Sequence, residues 1–305
     1  MRIDQLPRSE NVDDRRGGMD SDGGAIRIPG GRGGFGIVTL ILLALIGWFL
    51  GIDPRTLIEG TDVLTGGDRT QQQTPAPPGT REAQGPDQMK DFVQAVLGST
   101  ETVWGKIFAA GGKTYEPPTL VMFDGVTRSG CGFAQSAMGP FYCPIDHKVY
   151  LDTSFFRDLE RRFKACDAGS KACQFSQAYV ITHEVGHHVQ NLLGILPQVQ
   201  QMQQSMDKVE ANQLQVRVEL QADCLAGVWA NRSEQEWKFI DPGDVEAAMQ
   251  TASAIGDDRL QRQSQGYVVP DAFTHGSSAQ RTRWFMNGLK SGQVESCDTF
   301  NAARL

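Results

Sequence analysis

Basic clusters are scarce in this sequence. Downstream of residue 90 there is nothing beyond short runs such as Arg161–Arg162, and the chain as a whole carries 29 Lys+Arg against 36 Asp+Glu. A nucleic-acid surface needs a basic stripe, so no nucleic-acid partner is expected. The CxxC pairs of a zinc ribbon are missing too. The six cysteines, Cys131, Cys143, Cys166, Cys173, Cys224 and Cys297, instead form an even set, all C-terminal to a hydrophobic run. That pattern suits disulfides in an oxidising compartment. No internal repeat is visible, and 40% hydrophobic content over 305 residues is enough for a real core.

Charge is absent from Phe35 to Ile52, a run of 18 residues. This is about the shortest stretch that spans a bilayer as a helix. Six arginines precede it (Arg2, Arg8, Arg15, Arg16, Arg27, Arg32), and among the basic types only Arg55 follows closely. The positive-inside rule then expects one membrane crossing, with a cytoplasmic N-terminus and the bulk of the chain outside the cytoplasm, periplasmic or extracellular. A cleaved signal peptide is the rival, disfavoured by the long lead and the lack of a clean small-x-small site. The expected organisation is a disordered segment over 1–34, a transmembrane helix over 35–52, a linker over 53–88 rich in Gly, Pro, Gln and Thr, and a folded domain over 89–305.

Within that domain, Leu120–Gly125 reads as a strand, and Phe141–Tyr142 and Lys148–Leu151 as edge strands. Cys131 and Cys143 could pin a hairpin, and Cys166 and Cys173 could close the loop between them. Six cysteines allow 15 connectivities, so these pairings stay open.

The stretch 176–194 has Ala178, Ile181, Val185, Val189 and Leu192 at steps of three and four, the stripe of a helix. Ser176 can cap its start and Gly194 its end. That helix carries His183-Glu184-Val185-Gly186-His187, an HExxH motif. Positions i and i+4 share a helix face at about 5–6 Å, so two imidazoles can converge on one ion. Glu184 lies beside the ion without binding it, placed to take a proton from an activated water. Gly186 in mid-helix costs about 1 kcal/mol against Ala, which suggests a second backbone packed close. By chance alone the motif occurs in roughly one chain of this length in a hundred, so a third ligand is needed to support it.

The extension HExxHxxGxxH fails, because Gln190 and Leu193 stand where Gly and His are required. The alternative is a carboxylate on another helix. Val218–Ala230 has Glu219 and Asp223 four apart on one face, with Ala222 and Ala226 small enough for close packing. Glu219 is then the third zinc ligand, and Asp223 accepts the outer N–H of a coordinating imidazole. His147 and His188 are expected to be non-ligands, His188 because it points about 100° away from His187.

The blocks CGFAQSAMGPFYCPIDHKVYLD, HEVGHHVQ, ELQADCLAGVW and THGSSAQRTRWF together resemble the bacterial neutral zinc metallopeptidases of the YpfJ type, over most of Cys131–Cys297. The paired HEVGHH and ELQAD segments are gluzincin-like. This resemblance implies an α+β, zincin-like domain with a small twisted sheet and the HExxH helix, preceded by one transmembrane helix. It also implies Zn2+ as cofactor, a protein or peptide as substrate and a membrane anchor. His275 and Arg281 repeat a His-to-Arg spacing similar to that of the CAAX-prenyl and HtpX-like membrane proteases, which would make either one an oxyanion donor. The expected activity is that of an endopeptidase. A catalytically silent binding module is the alternative, disfavoured because every catalytic element is present.

Overall fold

The computed structural model describes residues 1–17, 87–161 and 171–305. Four strands form the main sheet in the order β1-β2-β6-β5: β1 Val12–Asp14, β2 Thr119–Phe123, β6 Lys148–Asp152 and β5 Phe141–Cys143. The β1/β2 and β2/β6 pairs are parallel and β5/β6 is antiparallel. A separate hairpin joins β3 Val126–Ser129 to β4 Gly132–Gln135. The strand read at 120–125 is therefore β2. Lys148–Leu151 is an interior strand rather than an edge, as its buried run from Val149 to Asp152 requires.

The helices are α1 Gln88–Ala110, α2 Ser154–Arg161, α3 Lys171–Leu192, α4 Ile195–Gln203, α5 Lys208–Trp237, α6 Asp244–Ala254, α7 Asp257–Gln265 and α8 Ser278–Ser291. Helix α3 carries the HExxH motif and starts five residues earlier than the stripe suggested. Ser176 therefore does not cap it; its hydroxyl is buried without a hydrogen-bond partner. Gly194, at φ 78, breaks the chain between α3 and α4. Helix α5 begins with a capping box from Asp207 and Glu210. It crosses α8 with almost no spacing: a Cβ at Gly227 would sit 2.1 Å from the Phe285 carbonyl oxygen.

Residues 1–17 correct the expectation of a disordered N-terminus. They join residues 87–305 in one compact unit, so the folded domain does not simply begin near Met89. Strand β1 pairs with β2, Arg8 forms a fork on Asp91 at 2.7 and 2.9 Å, and the Met1 ammonium lies 2.9 Å from Asp244. Glu101 of α1 receives Ser9 Oγ at 2.5 Å and Asn11 Nδ2 at 2.8 Å. Gly98 makes room for this segment, since a Cβ there would be 2.4 Å from the Pro7 carbonyl oxygen. A local reading sees only polar and Gly-rich composition; these partners are all more than 70 residues away.

The membrane expectation is also corrected. Among the described residues no helix is long and apolar enough to cross a membrane. The run Phe35–Ile52 and the linker 53–86 lie outside the described residues. Residues 1–17 and 87–305 belong to one compact unit.

Cys131 and Cys143 are bonded to each other, tying the tip of the β3–β4 hairpin to the end of β5. Cys224 bonds Cys297, a pair not anticipated. Cys173 is also oxidised; the suggested partner, Cys166, lies outside the described residues.

Candidate metal centre

Helix α3 presents His183 and His187 one turn apart, their rings 4.8 Å between centroids and nearly perpendicular. Its inner stripe, Ala178, Ile181, Val185 and Val189, is buried and holds the helix against the core. Helix α5 lies across it. The contact is close because Gly186 has no side chain: a Cβ would sit 3.0 Å from the Ala222 carbonyl oxygen and 3.3 Å from the Ala222 Cβ. That approach brings Glu219 to the two histidines. Its Oε2 lies 3.2 Å from His183 Nε2 and 3.4 Å from His187 Nε2.

These donors fit a zinc ion. His183, His187 and Glu219 each offer one ligand atom, all within 4.8 Å of one another. Zn–N bonds of about 2.0–2.1 Å imply tetrahedron edges of roughly 3.3 Å, the separation seen between Glu219 Oε2 and each imidazole. Both imidazoles turn Nε2 inward because their Nδ1 atoms are engaged elsewhere. His183 Nδ1 meets Asp223 Oδ1 at 2.8 Å, and His187 Nδ1 meets Gln190 Oε1 at 2.8 Å. Such outer partners fix the tautomer of a coordinating imidazole.

The electrostatics follow from burial and these contacts. Burial works against a charged His183, but Asp223 and Glu219 overcome it and push the imidazole up to about 10. His187 is likewise raised: Glu219 outweighs burial. A cation that binds these nitrogens competes with protons for them, so uptake is coupled to proton release. Burial raises the Glu184 carboxyl above its ordinary range, against the pull of the two histidines. The Glu184 side chain is 8% exposed and has no hydrogen-bond partner among the described residues. A buried carboxylate of this kind is a strong proton acceptor in search of a donor.

Asp223 anchors a second layer. It is fully buried and accepts Arg281 Nε and Nη2, each at 2.9 Å, and Tyr179 OH at 2.5 Å. Burial alone would raise its carboxyl; Arg281 and His183 bring it down to about 2. Arg281 itself is 3% exposed, with its remaining nitrogen 3.4 Å from the Ile255 carbonyl. Asp257 Oδ2 accepts the backbone N–H groups of Thr274, His275 and Gly276 at 2.7, 2.6 and 3.1 Å. This cradle presents His275, whose Nδ1 lies 3.4 Å from Asp257 Oδ1 and 3.0 Å from Thr274 Oγ1.

A cavity of about 740 Å³ contains His183, Glu184, His187, Glu219, His275 and Arg281 together in its lining. The structure therefore brings every candidate site residue to one place, with Asp223 immediately behind. His188 points away, bonded to Tyr142 OH at 3.0 Å and the Glu116 carbonyl at 2.7 Å, and burial pulls it down to about 4. His147 packs on His188 in the turn before β6, at φ 57. Sequence reading missed Tyr179, Gln190, Gln215 and Asp257. Gln190 and Gln215 were findable, being three residues after His187 and four before Glu219 on the same helices; Gln215 Nε2 donates to Glu219 Oε1 at 2.9 Å. Tyr179 and Asp257 gave no such signal.

An HExxH helix facing a carboxylate helix across a common cavity is the arrangement of a metal-dependent peptidase. Comparison with known families narrows this: residues 1–300 match the family described as "Putative neutral zinc metallopeptidase". The chain belongs to that family. It is 46% identical over 303 residues to the uncharacterized protein YpfJ of Escherichia coli strain K12, covering 98% of this chain and 99% of that protein. It is 43% identical over 222 residues to the uncharacterized protein Rv2575 of Mycobacterium tuberculosis strain H37Rv, covering 70% of this chain and 71% of that one. No solved structure matches the chain. The expected zincin-like assignment therefore has no structural neighbour behind it, and the fold stands as mixed helix and sheet.

Proposed function

We propose that this chain is a zinc-dependent endopeptidase, with His183, His187 and Glu219 as metal ligands and Glu184 as general base. The observation that carries this reading is the convergence of two Nε2 atoms on Glu219 Oε2 at 3.2 and 3.4 Å, with the unpartnered Glu184 carboxylate in the same cavity. Zinc held there supplies Lewis acidity, polarising a carbonyl and lowering the pKa of water towards about 7.

The chain's own groups do the rest. Glu184 accepts the proton of the attacking water and returns it to the leaving amine; its burial-raised carboxyl suits both transfers. His275 faces the cavity with Nδ1 occupied by Asp257 and Thr274, and donates from Nε2 to the oxygen that gains charge. Arg281 acts through Asp223, holding the carboxylate that orients His183.

The substrate is a protein or peptide in extended form. Strand β5 is one of the two edges of the sheet among the described residues, and Gly139, Pro140, Phe141 and Tyr142 line the cavity. Strand addition to that edge supplies backbone hydrogen bonds. The docking stretch is 139–142; Ala134, by contrast, is buried and paired with Thr127 inside the hairpin. The disulfides Cys131–Cys143 and Cys224–Cys297 support an oxidising, extracytoplasmic compartment.

Zinc content and hydrolysis of a peptide pool test this reading. The wild type should hold one zinc per chain. Glu184→Gln should keep the metal and lose activity by about 10²–10⁴-fold. Near-wild-type hydrolysis by zinc-loaded Glu184→Gln would remove Glu184 as base, and a zinc-loaded wild type without hydrolysis would favour the silent binding module.

A further inference from the structure

The two imidazoles of the site are held in different ways. His183 Nδ1 faces a carboxylate, which can only accept. His187 Nδ1 faces the primary amide of Gln190, which can either donate or accept. Which end of that amide is presented must be decided by other atoms.

The surroundings decide it twice. Gln190 Nε2 donates to the Val218 backbone carbonyl at 2.8 Å, a group that can only accept. It also donates to Gln221 Oε1 at 2.9 Å. The Gln221 amide is oriented in turn, because its Nε2 donates to the Cys297 carbonyl at 3.0 Å. Polarity therefore passes inward along one line. The Cys297 carbonyl takes the Gln221 N–H, Gln221 oxygen takes the Gln190 N–H, and Gln190 oxygen takes the His187 Nδ1–H. The lone pair of a neutral His187 is left on Nε2, the atom that faces Glu219.

This line is sealed from solvent and fixed at its far end. Gln190 is 0% and Gln221 8% exposed, so water is not a ready substitute partner. Cys297 is buried and bonded to Cys224 of α5, the helix that also carries Glu219 and Gln221. Turning the Gln190 amide over would set its oxygen against two acceptors, losing both of those hydrogen bonds, and would present its nitrogen to His187 Nδ1, which selects the opposite tautomer.

We propose that Gln190 and Gln221 are positioning residues forming an amide relay that sets the His187 tautomer for metal binding. The proposal rests on the zinc-site reading above, but its first readout needs no metal. In the full chain labelled with 15N-histidine, metal-free and at alkaline pH, imidazole nitrogen shifts report each tautomer. His187 should carry its proton on Nδ1. In Gln190→Leu and in Gln221→Leu, which removes the acceptor that holds the Gln190 N–H, that preference should fall. His183, held by Asp223, should not change. Zinc affinity, measured by chelator competition, should weaken about 10–100-fold in both variants. Gln221→Met serves as the second probe if Gln221→Leu does not fold.

An unchanged His187 tautomer and zinc affinity in a folded Gln221 variant would overturn the relay. So would equal changes at His183 and His187, which would assign the effect to general loosening. If the unaltered chain bound no zinc, the metal reading would fall, while the tautomer signals would still decide the relay.

Discussion

Gly186 of the HExxH helix rests on the backbone of Ala222, close enough that a Cβ would lie 3.0 Å from its carbonyl oxygen and 3.1 Å from its Cα. The ligand set depends on this contact. His187 is one residue past Gly186, and Glu219 is one helical turn before Ala222, so any change in helix separation changes the distance between ligands.

Gly186→Ala therefore separates site geometry from stability. Alanine gains about 1 kcal/mol of helix propensity, which offsets part of the cost of moving α5 by a few tenths of an ångström. The melting temperature should change little while zinc affinity falls several-fold. Unchanged zinc affinity would show that the close approach does not set the ligand distances.

Arg281→Met should be strongly destabilising. It strands the fully buried Asp223 carboxylate, which Arg281 holds with two 2.9 Å hydrogen bonds. Breaking such a pair costs about 3–5 kcal/mol. The double variant Asp223→Asn/Arg281→Met should recover part of that loss, because no uncompensated charge remains. Urea unfolding of the two singles and the double measures the coupling, and strict additivity would refute it.

Asp257 gives a pH dependence of defined sign. Burial raises its carboxyl, but the His275 side chain and the backbone N–H groups of His275 and Thr274 lower it further, so the net shift is downward. An acid whose folded pKa is depressed stabilises the fold above its unfolded value of about 3.9. That contribution disappears as pH falls through the folded value. Asp257→Ala should cost about 1.5–3 kcal/mol at pH 7, the scale of hydrogen bonds to a charged group. The gap from wild type should narrow below about pH 4. A gap independent of pH would contradict the assignment.

From the β1–β2 pairing we expect residues 1–17 and 87–305 to share a compartment. Glu10 and Lys208 are both exposed, and no free cysteine competes among the described residues. Glu10→Cys and Lys208→Cys should react alike with a membrane-impermeant thiol reagent in intact cells. Labelling of one and protection of the other would mean that β1 is not part of the folded domain in the cell.

Chemistry and local order were legible in the sequence, because both are carried by short spacings. His183 and His187 at i and i+4, Glu184 between them, and Glu219 and Asp223 at i and i+4 on a second helix follow from 3.6-residue periodicity alone. Even the close helix crossing was foreshadowed by Gly186 and Ala222. Tertiary structure decided what depends on distant partners. Only packing shows that Arg281 meets Asp223, that Asp257 holds the loop bearing His275, or that Cys224 bonds Cys297 across 73 positions. The N-terminus is the plainest case. Val12–Asp14 lacks the apolar alternation that marks a strand in sequence, and it becomes one because β2, over 100 residues later, offers an unpaired row of backbone groups. Hydrogen bonding of that kind is paid for by the backbone, which is the same at every residue and so leaves no trace in side-chain pattern.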